Sequence, residues 1–90
     1  MYDYKFLEQN LAALLAMLES RLSKEEIDDL NSYVDAGEYG VAFQYLCEIL
    51  VRRNQPIPPE AYKLCDSLGT RMQLDPQIWA GLRTPQQPSA

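Results

Sequence analysis

Leu22-Ser23-Lys24-Glu25-Glu26-Ile27-Asp28-Asp29-Leu30-Asn31-Ser32-Tyr33-Val34 is the most sharply bounded helix in this 90-residue chain. Ser23 stands where an N-cap belongs, and Glu26, three residues on, completes a capping box. Leu22 before the cap and Ile27 after it supply a hydrophobic staple, which sets the entry to the helix at Lys24. Ile27, Leu30 and Val34 recur at the helical period and give the inward face. Asp35 and Ala36 follow, and Gly37 suits the left-handed position that ends a helix.

The same period extends in both directions, and no segment alternates like a strand. Toward the N-terminus a helix runs from Tyr4 to Arg21 on the stripe Leu7, Leu11, Leu14, Leu15, Leu18 and Leu22. Its back carries Phe6, Ala13, Ala16 and Met17, so it is either central in the bundle or has a second partner surface. Toward the C-terminus a third helix runs from Glu38 to Arg53, with Ala42, Phe43, Leu46, Ile49 and Leu50 on one face and Arg52 and Arg53 complementing its dipole. Asn54-Gln55-Pro56-Ile57-Pro58 reads as a rigid loop. Pro59 suits the first position of a fourth helix, which reaches Gln73 with Ala61, Leu64, Cys65, Leu68 and Met72 inward. Asp75 caps a last short helix opened by Pro76, setting Ile78, Trp79 and Leu82 against the rest. The expected fold class is all-α: a small four-helix bundle with a short fifth C-terminal helix. Residues 1–83 form the single domain and 84–90 a flexible Pro/Gln-rich tail. Short linkers predict that consecutive helices pack mostly antiparallel.

Composition narrows the function. With 47% hydrophobic residues, the chain has enough for one modest core and no more. No run reaches the ~18 apolar residues of a membrane span, and Met-Tyr-Asp-Tyr lacks the basic start of a secretory signal, so a cytoplasmic protein is expected. Histidine is absent, which removes the usual base and triad member. A carboxylate pair would need a cleft to raise one pKa, and a bundle this small offers none, so no enzyme and no cofactor are expected. Cys47 and Cys65 fall on apolar helix faces and read as buried thiols rather than a disulfide or a metal site. No glycine-rich phosphate loop is present. A net charge of −5 opposes direct nucleic-acid binding. Asp66-Ser67-Leu68 is the triplet to which acyl carrier proteins attach phosphopantetheine, but there the serine opens a helix, and here it falls late in one.

The remaining signal is charge distribution. Between Glu25 and Val51 lie seven acids and no base, whereas the rest of the chain sums to +2. A field of one sign concentrated on one side favours a cationic partner. On a helical wheel Glu25, Asp28 and Asp29 point away from the inward face with Asp35 beside Asp28, while Glu26 and Tyr33 occupy one flank. A merely solvated helix usually mixes signs for i,i+4 pairing, and this one does not. Six tyrosines in the chain add interface-forming side chains, Tyr33 foremost; Tyr39 and Tyr62 fit the core edge equally well. The candidate contact residues are Glu25, Glu26, Asp28, Asp29, Tyr33, Asp35 and Glu38.

Four segments then carry a resemblance: Leu22 to Ile27, Tyr33 to Ala42, Leu46-Cys47-Glu48-Ile49-Leu50, and Pro56-Ile57-Pro58. Together they resemble the MafI-type immunity proteins of bacterial polymorphic toxin and contact-dependent growth inhibition systems. The likeness spans Leu22 to Leu82, and its most specific part is Asp35-x-Gly37-Glu38-Tyr39-Gly40-x-Ala42. The chain departs from the pattern at Pro58, where a Ser or Thr cap is expected. The resemblance implies a cytoplasmic inhibitor of one cognate toxin, whose C-terminal domain would be a basic nuclease, an RNase being favoured. The acidic helix would cover the groove that otherwise holds the phosphate backbone. Gly37-Glu38-Tyr39-Gly40 reads as the structural turn between the second and third helices. Two other readings stay open: an acyl-carrier-like protein, and a structural or adaptor homodimer through the back of the first helix.

Overall fold

The structure, a computed structural model, describes residues 3–82; the expected tail at 84–90 lies outside them. α1 (Tyr4–Leu18) is opened by Asp3, whose carboxylate accepts from the Phe6 N–H at 3.1 Å. α2 (Lys24–Asp35) has the full capping box: Ser23 Oγ accepts from the Glu26 N–H at 3.1 Å, and Glu26 Oε1 accepts from the Ser23 N–H at 2.9 Å. α3 (Tyr39–Arg52), α4 (Pro59–Arg71, with its proline at the start) and the single turn α5 (Gln77–Ala80) follow. The described chain is therefore all-α, four longer helices and a short fifth.

The helix ends differ from expectation in ways the backbone explains. The first helix stops at Leu18 and tightens into a 3-10 turn over Glu19–Arg21, because Leu22 must be extended (φ −121°, ψ 151°) for Ser23 to cap the next helix. The third starts at Tyr39, with Glu38 in the cap position. Asp75 serves α5 from one residue further out than expected: Pro76 occupies the cap position, and the Asp75 carboxylate accepts from the Gln77 N–H at 3.0 Å.

Three helices end alike. After α2, Gly37 (φ 77°) donates its N–H to the Val34 carbonyl and Glu38 donates to that of Tyr33. After α3, Asn54 (φ 54°) and Gln55 donate to the carbonyls of Val51 and Leu50, and after α4, Gln73 (φ 60°) and Leu74 donate to those of Thr70 and Gly69. This paired bonding satisfies carbonyls the helix leaves open, and it requires one left-handed residue. Glycine takes that conformation freely, Asn tolerates it, and Gln has no such ease. Gln73→Gly is therefore expected to stabilise the fold by about 1 kcal/mol, raising Tm by ~4–8 °C in thermal unfolding. Asn54→Gly should gain less.

The core joins Leu7, Leu11, Leu14 and Leu18 of α1, Leu30 of α2, Phe43, Leu46, Cys47 and Leu50 of α3, Cys65 and Leu68 of α4, Met72 just past its end, and Trp79 and Leu82 at the C-terminal end. Leu15, Leu22, Val34, Leu64 and Ile78, expected inward, are half-buried at its edge. Ile57, assigned only to a loop by the sequence, is fully buried. Cys47 and Cys65 are both buried free thiols; the Cys65 sulfhydryl beside it and burial push the Cys47 pKa up. Packing does not follow chain order. α1 lies chiefly on α4, α2 on α3, and α3 also contacts α1 and α5. The consecutive pair α1 and α2, expected to associate, is not among the principal contacts. Among the described residues α2 is thus a peripheral helix, anchored through one fully buried residue, Leu30, with its outer surface open. No helix among the described residues is long and apolar enough to cross a membrane.

Candidate protein-interaction face

α2 places its carboxylates in three environments. Glu25, Asp28, Asp29 and Asp35 are exposed, as is Glu38 beyond the helix end, whereas Glu26 is half-buried. Glu26 turns toward α3. Besides closing the capping box it receives Arg53 in a two-pronged ion pair, Nη1 to Oε1 at 3.0 Å and Nη2 to Oε2. Arg53 Nη1 also donates to the Arg21 carbonyl at 3.3 Å, and Arg21 Nε donates to the Pro56 carbonyl at 2.8 Å. Glu26 is thereby committed to tying α2, the 3-10 turn and the end of α3 together. The Ser23 backbone N–H and the Arg53 guanidinium hold its carboxyl below the ordinary value of 4.5.

That shift has a direction that can be checked. A carboxyl whose folded pKa is depressed contributes stability above its unfolded pKa and loses it as pH falls through the folded value. Glu26→Gln keeps an acceptor for the Ser23 N–H but loses the charge. We expect it to be less stable than the wild type at pH 7 by roughly 0.5–1 kcal/mol, as for a partly exposed charged pair. The gap should close as pH drops from about 5 to about 3, read by urea unfolding across that range. A gap independent of pH would mean the ion pair adds nothing.

Asp28 forms an i,i+4 pair with Lys24 at 3.3 Å, but the two side chains are 63% and 88% exposed, and such a pair is weak. Among the described residues these are the two ion pairs, so Glu25, Asp29, Asp35 and Glu38 keep their charge uncompensated at close range. Asp35 stands in the last turn of α2, which carries no base. A carboxylate at that end opposes the helix dipole, so helix stability does not account for it.

Aromatic residues border the acids. Tyr33, 37% exposed, packs edge-on against Tyr45 of α3, with ring centroids 6.0 Å apart at 80°. The Tyr45 hydroxyl donates to Asp29 at 3.5 Å. Desolvation, then the charges of Asp29 and Glu26, push the Tyr45 pKa up, so the phenol remains a donor at neutral pH. Tyr45 was not singled out from the sequence. Its signal was position: it sits beside the buried stripe of α3, where a half-buried aromatic can reach a neighbouring helix. The structure therefore brings Glu25, Asp28, Asp29 and Tyr33 onto α2 with Tyr45 alongside, places Asp35 and Glu38 at its C-terminal end, and diverts Glu26 to structural work. Tyr39 and Tyr62 are core-edge residues.

The residues behind the other readings are also located. Ser67 lies within α4, four residues from its end, rather than at a helix start. Its neighbour Asp66 accepts from the Trp79 indole N–H at 3.2 Å. On the back of α1, Phe6 is half-buried under the Arg71 guanidinium, 4.1 Å above its ring, while Ala13, Ala16 and Met17 are exposed.

Comparison with family models, curated proteins and solved structures gives no match to this chain.

Proposed function

We propose that this protein is a stoichiometric inhibitor that neutralises a cognate bacterial toxin, a basic nuclease domain of the RNase kind, by laying the outer face of α2 over the toxin's cationic substrate groove. The observation that carries the reading is the set of exposed carboxylates on α2 and at its C-terminal end, Glu25, Asp29, Asp35 and Glu38, without close countercharge among the described residues. Asp28, shared with Lys24 through solvent, belongs to the same face.

The physics supports each part. Like charges held together on a peripheral helix cost stability that a cationic partner restores. Their summed field raises the encounter rate above an unsteered ~10⁵–10⁶ M⁻¹s⁻¹. Tyr33 and Tyr45 offer a rigid, amphipathic edge of the kind enriched at binding hot spots. A standard interface of about 800 Å² on this side would take in the whole outer face of α2 with part of α3. The immunity-protein resemblance points the same way, to a protein that acts in the cytoplasm of the toxin-producing cell.

The test is protection. Co-expressed with its candidate toxin domain, the chain should rescue growth and co-purify with that domain at one to one. Reversing two charges on the α2 face should weaken both. Rescue and co-purification undiminished by the reversal would remove α2 from the interface.

A further inference from the structure

The first turn of α3 contains a glycine that the fold does not require. Gly37 must adopt φ 77°, and only glycine does so without strain. Gly40 has no such constraint: its φ lies outside the left-handed region, and a Cβ built on it meets nothing within 4 Å. A residue inside a helix that is neither strained nor crowded is more stable as Ala. Gly40 therefore forgoes stability without a packing or backbone reason among the described residues.

What it leaves open is a pocket of about 270 Å³ bounded by Tyr4, Tyr39, Gly40, Val41 and Leu74. Tyr4 is 60% and Val41 43% exposed, and the Tyr4 and Tyr39 rings stand 6.1 Å apart. Large apolar side chains are thus displayed around a concavity instead of being scattered singly. Among the described lining residues the one acid or base is Glu38, which follows Asp35 just beyond the end of α2.

We propose that this pocket receives a bulky apolar side chain, aromatic or leucine-like, carried on a basic segment of the partner, and that Gly40 is kept side-chain-free to admit it. This rests on the reading of the α2 face as a surface for a cationic protein, and it divides the interface into a steering part and an anchoring part. The occupant follows from charge: cations flanking the inserted side chain would meet Glu38, whereas a second copy of this chain would bring two bodies of net charge −5 together.

Two peptides separate these contributions. ¹⁵N-labelled protein is titrated with Lys-Lys-Trp-Lys-Lys and with Lys-Lys-Ser-Lys-Lys, with the Gly40 and Val41 amides followed by NMR. The Trp peptide should saturate those amides at a Kd about tenfold lower than the Ser peptide, while both shift the Glu25, Asp29 and Asp35 amides alike. Gly40→Leu should erase the tenfold preference without lowering Tm, and Val41→Ser, at an exposed site, should reduce it. Equal affinity of the two peptides at Gly40, or a preference that survives Gly40→Leu, overturns the proposal. So does a Gly40 shift on dilution of the protein alone, which would report a second copy in the pocket. Absence of any response at the α2 carboxylates would instead sink the acidic-face reading, leaving the pocket to be judged by its own preference.

Discussion

Gly69→Ala is expected to lower Tm by roughly 10–20 °C, the largest loss of stability from adding one methyl group anywhere on the described backbone glycines. Gly69 is buried in α4, and a Cβ there would lie 2.2, 2.4 and 2.7 Å from three carbons of the Trp79 six-membered ring. Contacts that short cannot be absorbed by small adjustments. Trp79 is itself 3% exposed, held edge-on by Phe43 with centroids 5.8 Å apart and by its indole hydrogen bond to Asp66. The ring has nowhere to retreat, so α5 must lift from α4. Overpacking costs about 1–3 kcal/mol and occasionally more; contacts this short against a ring that cannot move put the cost at about 3–4 kcal/mol, against which the better helix propensity of Ala returns ~1 kcal/mol. A net loss of about 2–3 kcal/mol at ~4–8 °C per kcal/mol gives the stated shift. A double-mutant cycle isolates the cause. Trp79→Leu removes the colliding ring at its own cost in cavity and hydrogen bond, and Gly69→Ala on that background should be close to neutral. If Gly69→Ala melts like the wild type, the close approach of α4 and α5 is not a feature of the molecule.

The contrast between Gly37 and Gly69 shows how far the sequence could be read. Gly37 follows a helix and announces its role by position alone. The Ser23–Glu26 box and Pro59 do the same, because caps and starts act over three or four residues. Those cues, with the apolar period, gave the helix order and most of the core. Gly69 sits inside a helix and is explained only by Trp79, which reaches it through the tertiary fold. Gln73 in a left-handed turn had no local signal either, since Gln shows no preference for it. The candidate site divides in the same way. The acids of α2 are visible as a run without bases that ends at Val51. The base that binds one of them, Arg53, comes just past that end, 27 positions from Glu26. Counting charge along the chain therefore overstated the free negative face by one carboxylate, and it missed Tyr45, whose place beside Asp29 and Tyr33 depends on α2 lying on α3.

Glu25→Lys combined with Asp35→Lys is expected to weaken association with the basic partner by about ten- to a hundredfold at low salt while leaving the fold unchanged. These two positions are chosen because both side chains are exposed and neither has an ion pair among the described residues. Asp28 is shared with Lys24, and Asp29 with Tyr45. The effects on α2 itself should offset. Glu25 in the first turn complements the helix dipole and its loss destabilises, whereas Asp35 in the last turn opposes the dipole and its reversal stabilises. Tm should stay within about 3 °C of the wild type. Net charge moves from −5 to −1, and two attractions become repulsions. At ~0.2–1 kcal/mol for each exposed pair, reversal at two sites amounts to about 1–3 kcal/mol, which is the stated range in Kd. Because the contribution is long-range, it should appear mainly in the association rate. It should also fade with salt, since the screening length falls from about 10 Å at 0.1 M to about 3 Å at 1 M. Stopped-flow association at both ionic strengths separates this from a local contact: a rate deficit that is large at low salt and small at high salt identifies steering by the α2 face. Equal rates for variant and wild type at low salt would place the partner elsewhere on the molecule and leave the acids of α2 as a solvated surface.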